Sequence, residues 1–223
     1  MKTTTIILTA VGLAAVLTVS TNADESTRLV SSPIGSKVRI EGDSTAHKWL
    51  MESSLIGGSV EVGPEFPLKA GAQVKPGKLN IKAAVYLTVN QFKSLKEDGV
   101  TPYSSAMDDR MYQAMKAADH PKIYFNVTEL ALKEAPKSAD APYLFDAKGE
   151  LIIAGVTNKI SMPVSASVVA ENKVKFSGTV NLKMTDFKIE PPALTVAGLG
   201  IKTADEVKLI FEWTVRKSTA KPK

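Results

Sequence analysis

His47 and His120 are the only imidazoles in the 223-residue sequence, and neither stands in a spacing that could hold a metal ion. A zinc site of the helical kind needs two rings one turn apart, as in H-x-x-x-H. A three-ligand catalytic zinc would have to recruit distant carboxylates, and no local pattern offers them. Cysteine is absent, which removes disulfides, thiolate ligands, a thiol nucleophile and a lipidated N-terminus. There is no G-x-S-x-G elbow, phosphate-binding loop or dinucleotide glycine fingerprint. Asp108 and Asp109 are adjacent, so a helix turns them to different sides. They make a poor acid/base pair and read as charges at a helix start. The inventory points to a protein that is not an enzyme and carries no catalytic residues, metal or cofactor. The remaining catalytic alternative is a hydrolase or isomerase built on His47 and a remote carboxylate.

The residues around these groups alternate apolar and polar, the period of a half-buried strand. Leu79, Ile81, Ala83, Val85, Leu87 and Val89 share one face, opposite Asn80, Lys82, Ala84, Tyr86 and Thr88. Ile123, Phe125 and Val127 repeat the pattern, as do Val174, Phe176, Gly178, Val180 and Leu182. It is clearest at the end, in Val207, Leu209, Phe211, Trp213 and Val215. Glu171 and Asn172 suit a tight hairpin, and Gly155 to Asn158 read as a second turn, joining a segment ending at Ala154 to one beginning at Lys159. Gly57 and Gly58 interrupt a strand-like stretch from Lys48 to Val62, which predicts a bulge or bend. The expected fold is all-β, antiparallel and of about eight strands joined mainly as hairpins, in one domain over residues 24–216.

One stretch, Asn90 to His120, breaks the β pattern. Ser104 or Ser105 can cap a helix from about Ala106 to Ala117, with Asp108 and Asp109 in its first turn. Met107, Met111, Ala114 and Met115 recur at helical spacing and give it an apolar face. Such a helix would cover an edge or an end of the β structure. Over an opening, its flexible methionines could adapt to variable ligands.

The N-terminus carries Lys2, an apolar run from Ile6 to Val19, and Thr21, Asn22 and Ala23 before Asp24. This order is that of a secretory signal peptide cleaved after Ala23; the run falls short of the roughly 20 residues of a spanning helix. The expected location is periplasmic or secreted. The net charge of +5 comes from lysines scattered singly along the strands, unlike the localised basic patch of a nucleic-acid groove. The tail 217–223, KSTAKPK, is basic and polar, and is expected to be disordered, with at most peripheral contact to anionic lipid. Lys82, Lys175, Lys183 and Lys208 fall opposite the apolar faces. An eight-stranded membrane barrel would have to hold them in its narrow lumen, which argues against that architecture.

Three stretches resemble the YceI-like family, bacterial polyisoprenoid-binding proteins with a lipocalin-like barrel. KGELIIAGVTNKISMPV, from Lys148 to Val164, resembles its Gly-acidic-Leu strand, G-V-T turn and Pro-bearing strand. DDRMYQAMKAADHPKIYFNVTEL, from Asp108 to Leu130, is similar to its helix, Pro-containing link and I-x-F strand. SGTVNLKMTDFKIEPP, from Ser177 to Pro192, resembles the strand, Thr-Asp-Phe and Pro pair that precede the last strand. The segment from Asp43 to His47 resembles the family's D-x-x-H opening with one extra residue. A histidine often seen further on is replaced by Leu55 and Ile56.

The resemblance implies a lipocalin-like barrel that holds a long isoprenoid chain, for example a quinone or its precursor, and performs no chemistry. An eight-stranded barrel can either be packed by side chains or hold one small ligand, and each buried methylene of a lipid adds about 0.8 kcal/mol. The residues expected to line such a tunnel are Trp49, Phe125, Phe176, Phe211 and Trp213, with Leu79, Ile81, Val85, Leu87, Ile123, Val180 and Leu209. His47 is placed at the mouth, where it would hydrogen-bond a headgroup or cap a turn. The alternative is a ligand-free structural or stress-related β protein. A homodimer is left open.

Overall fold

The computed structural model describes residues 26–196 and 199–219. The signal peptide expected over 1–23, its cleavage point and the last four residues of the tail lie outside these. Thirteen strands form one closed antiparallel sheet, and their order follows from the hairpins of the sequence. Three staves of the barrel are interrupted strands. β1 (Thr27–Ser31) and β2 (Lys37–Ser44) make the first, and β3 (Trp49–Ser53) and β4 (Gly57–Val62) the second. β5 (Gly77–Leu79), β6 (Ile81–Thr88) and β7 (Lys93–Leu95) make the third. Their registers show this continuity: β1 pairs β4 while β2 pairs β3, and β4 pairs β6 while β3 pairs β7.

The remaining staves are single strands: β8 (Lys122–Glu134), β9 (Tyr143–Ile153), β10 (Val156–Ala170), β11 (Lys173–Lys183) and β13 (Leu199–Lys217). β12 (Ala193–Val196) adds a short hairpin to the start of β13. β13 pairs β11 along one side and β1 and β2 along the other, which closes the barrel. The expected eight antiparallel strands therefore stand as eight staves in up-and-down order, and closure leaves no long unpaired edge. β13 runs through Lys217, and the Ser218 N–H donates to the Arg28 carbonyl at 2.9 Å.

The breaks occur where the backbone needs freedom. Gly58 has φ +134, and a Cβ there would meet the Ala84 carbonyl oxygen at 2.3 Å, so the bend anticipated at Gly57 and Gly58 stands at the start of β4, just after the break from β3. Asn172 adopts φ 56 in the β10–β11 hairpin. The other turn is tighter than the sequence suggested. Ala154 and Gly155, at φ 48 and 80, form a two-residue loop whose left-handed backbone matches the strand twist. β10 resumes at Val156, and Asn158 is a strand residue whose side-chain amide donates to the Asp186 carbonyl at 2.7 Å.

Alternate residues point inward throughout. Along β9, Tyr143, Phe145, Ala147, Leu151 and Ile153 are buried, and their alternates are more exposed. The outer wall carries cross-strand ion pairs: Lys78 and Lys148 with Glu129 at 2.5 and 2.8 Å, Lys175 with Glu212 at 3.2 Å, and Lys208 with Glu41 at 3.7 Å. Opposite charges facing across strands stabilise the pairing modestly.

The two ends differ. The loop between β4 and β5 inserts Phe66, which stacks on Phe145 at 6.1 Å between ring centroids and packs at a tilt against Phe176 at 6.0 Å. Phe176 in turn lies 5.7 Å from Trp213, and the Tyr143 hydroxyl donates to the Ala72 carbonyl of that loop at 2.8 Å. An aromatic plug thus closes this end. The other end carries α1 (Ser105–Ala114), capped by Ser104, whose side chain accepts from the Met107 N–H at 3.4 Å.

Candidate lipid-binding site

Two chambers lie in line inside the barrel. The inner one, above the aromatic plug, has a volume of about 110 Å³ and is lined only by apolar side chains. Ten of the expected residues border it: Ile81, Val85, Leu87, Ile123, Phe125, Phe176, Val180, Leu209, Phe211 and Trp213. They come from four staves, which the closed sheet turns to one axis. The outer chamber, under α1, has a volume of about 410 Å³. Trp49 and His47 border this one, and Ile123 and Leu209 border both. Leu79 borders neither; it is buried in the wall, on β5 beside Leu130 of β8.

The outer chamber is amphipathic. Met107, Met111 and Ala114 of α1 and Met115 just after it face the chamber together with Met51 and Met184, so the methionine stripe does lie over the opening. Phe187 and Ile189, from the turn after β11, and Leu194 of β12 complete its apolar wall. The polar groups are Ser44, His47, Tyr103, Ser104, Arg110, Lys183 and Thr203. Lys183, assigned to the outer face by alternation, borders the chamber instead. β11 ends there, and the turn over Thr185–Phe187 replaces the next pleat.

His47 has neutral partners on both ring nitrogens. Nδ1 lies 2.7 Å from the Lys48 carbonyl oxygen and Nε2 lies 3.4 Å from the Tyr103 hydroxyl. The carbonyl can only accept, so Nδ1 carries the proton, and Nε2 accepts from Tyr103 when the ring is neutral. The rings meet edge to face at 5.7 Å. The remote carboxylate that a His47-based enzyme would need is not among these partners. No cluster of three or more metal-ligating side chains occurs among the described residues.

Asp108 stands in the first turn of α1 as expected, and has a further role there. It is buried, accepting the Ser94 N–H at 2.7 Å and pairing with the Lys93 ammonium at 3.3 Å. Ser94 Oγ donates to the Ser104 carbonyl at 2.9 Å, and the Tyr112 hydroxyl donates to the Phe92 carbonyl at 2.6 Å. These bonds clasp α1 to β7. The Lys93 ammonium is held above its usual pKa by its hydrogen bonds to Tyr112 and Asp108.

A family model for the YceI-like domain matches residues 36–215. The chain belongs to the YceI-like family. Its YceI-like barrel resembles BcnA of Burkholderia cenocepacia, with a TM-score of 0.55 at 17% identity over 80% of this chain and 95% of that one. It also resembles a polyisoprenoid-binding domain of Saccharophagus degradans implicated in plant cell wall breakdown, with a TM-score of 0.58 at 12% identity over 85% and 98% of the two chains. The YceI protein of Campylobacter jejuni aligns with a TM-score of 0.50 at 17% identity over 76% and 85%. No curated protein matches the sequence. The YceI-like match begins after β1, which shares with β2 the seam to β13 that closes the barrel.

The sequence did not single out Phe66, Met162, Val164, Leu130 or Leu151 as parts of this interior, although the last four line the inner chamber. Their signal was the same alternation that identified their neighbours. Phe66 had a weaker one, an apolar Phe-Pro-Leu triplet inside a Gly- and Pro-rich loop.

Proposed function

We propose that this YceI-like protein is a non-catalytic binding or carrier protein for a long apolar lipid of the isoprenoid type, exported to the periplasm. The inner chamber carries this reading, because a wall without polar groups offers a hydrocarbon chain everything it needs and leaves a polar substrate unsatisfied. Each methylene taken from water contributes about 0.8 kcal/mol, so affinity comes from length without specific fixtures. The flexible methionines of α1 suit chains of differing shape. The polyisoprenoid-binding relative supports the isoprenoid class. On the outside, charged ladders replace the apolar band that a lipid-embedded barrel requires.

Native mass spectrometry of protein purified from its own bacterium tests the proposal. The expected result is a mass above that of the bare chain, beginning at Asp24, with an organic-extractable lipid that accounts for the difference. A clean mass, together with no uptake of isoprenoids in titration, would overturn it.

A further inference from the structure

Cysteine is absent, so the thioethers of methionine are the only oxidisable sulfurs in the chain. Six methionines lie among the described residues, and five of them gather at one place. Met51, Met107, Met111, Met115 and Met184 border the outer chamber, and Met162 borders the inner one. Exposure divides them further. Met51 and Met162 are buried, at 1% and 7%, whereas Met107, Met111, Met115 and Met184 are half-buried and within reach of a small solute at the mouth. The inner chamber has a volume of about 110 Å³ and the outer one about 410 Å³, so most of a long chain must lie against these thioethers.

We infer that Met107, Met111, Met115 and Met184 form an oxidation site through which a peroxide loosens the protein's hold on its lipid. This rests on the lipid-binding reading above and adds a means of release. In the step, a sulfur lone pair attacks one oxygen of hydrogen peroxide. The O–O bond breaks and an S–O bond forms; the thioether is oxidised to the sulfoxide, and the peroxide is reduced, its second oxygen leaving as water with both protons. The product is a polar acceptor on a side chain that was apolar. Packed against hydrocarbon, the sulfoxide oxygen goes without a hydrogen bond, which costs free energy. In an empty chamber water solvates it, or it accepts from the Arg110 or Lys183 side chains that border the same space. Oxidation thus favours the empty state over the filled one, the differential that a switch requires.

Hydrogen peroxide applied to the folded protein, followed by peptide mass spectrometry, should add one oxygen to Met107, Met111, Met115 and Met184 well before Met51 and Met162. Oxidation of Met51 and Met162 at the same rate overturns the assignment. Calorimetric titration with geranylgeraniol then reads the consequence. Affinity should fall roughly five- to fiftyfold on oxidation, as one or two polar oxygens forced against the chain allow. The variant M107L/M111L/M115L/M184L, compared with its own untreated sample, should show no such fall, whereas Met162→Leu should lose affinity on treatment as the unaltered protein does. Thermal melts check that each sample is folded. Should the quadruple variant melt early, M107L/M111L and M115L/M184L take its place, each with a smaller fall than the unaltered protein. An affinity unchanged by the four sulfoxides, or a fall as large in the Leu variants as in the unaltered protein, overturns the inference and leaves the carrier reading standing. Failure of the untreated protein to bind geranylgeraniol overturns both.

Discussion

Glu129 shows how single residues on the outer wall contribute. Its carboxylate is lowered to a pKa of about 2 by hydrogen-bonded ion pairs with Lys148 and then Lys78. A carboxylate with a depressed folded-state pKa adds stability that is fully present above its unfolded value and is lost as pH falls through the folded value. Glu129 should therefore stabilise the fold at neutral pH and lose that contribution in an acid limb between about pH 4.5 and 2. Asp98 behaves alike: bonds from the Thr101 hydroxyl and from the Val100 and Thr101 N–H groups hold it at about 2. Melts across this range should show a shallower acid limb in Glu129→Gln than in the unaltered protein. An identical limb would mean that the ladder is too well solvated to matter. Inside the barrel, Gly178 has another kind of role. A Cβ there would meet the Phe211 ring and the Pro163 carbonyl oxygen, each at 2.8 Å, so this apparently empty position in an apolar face is where an aromatic ring seats.

At the scale of elements, α1 is the part whose attachment differs from the rest. The staves are fastened by continuous ladders, whereas α1 is tied to β7 and to the turn before it by a handful of side-chain bonds centred on Asp108. Replacing Asp108 with Ala leaves the Ser94 N–H without its acceptor. That should cost about 1–3 kcal/mol, measurable as a lower urea midpoint. Amide exchange should rise in α1 and β7 before it rises in β9 or β10, because a helix of ten residues is marginal without packing. Unchanged exchange in α1 would show that its apolar contacts suffice. The three broken staves lie next to one another and end near this helix, so the irregular half of the barrel is also the half with an opening.

The whole molecule is a closed sheet with an aromatic plug at one end and a methionine-faced cover at the other. Filling the space between them should separate folding from binding. Val180 borders the inner chamber, and Val180→Phe places a ring in space that is already empty, so stability should change by less than about 1.5 kcal/mol. If the ring displaces two methylenes of a bound chain, at about 0.8 kcal/mol each, affinity should fall roughly tenfold. Geranylgeraniol should lose more than geraniol, since only the longer chain reaches that depth. Calorimetric titration of the folded variant reads this directly; equal losses for both would place the chain outside the inner chamber.

Much of this was legible in the residues. Period-two alternation in 79–89, 123–127, 174–182 and 207–215 determined which side chains share a face, and hairpin signals determined that neighbours in sequence pair in space. These are local properties, set by pleat geometry and turn chemistry. Alternation also predicted ten of the chamber-lining residues, because in a closed barrel one face of every strand must point inward. It could not divide the interior. That Trp49 and His47 stand in an outer chamber, that Leu79 stays in the wall and that Lys183 reaches the mouth depend on where each stave ends along the barrel axis. Strand order and stagger set those positions. Asp108 looked like a helix-start charge because its partner, Ser94, becomes adjacent only when the chain folds back on β7. Phe66 could be recognised as a plug only once the sheet had closed around it, since a hydrophobic residue in a loop has no periodicity to report its face.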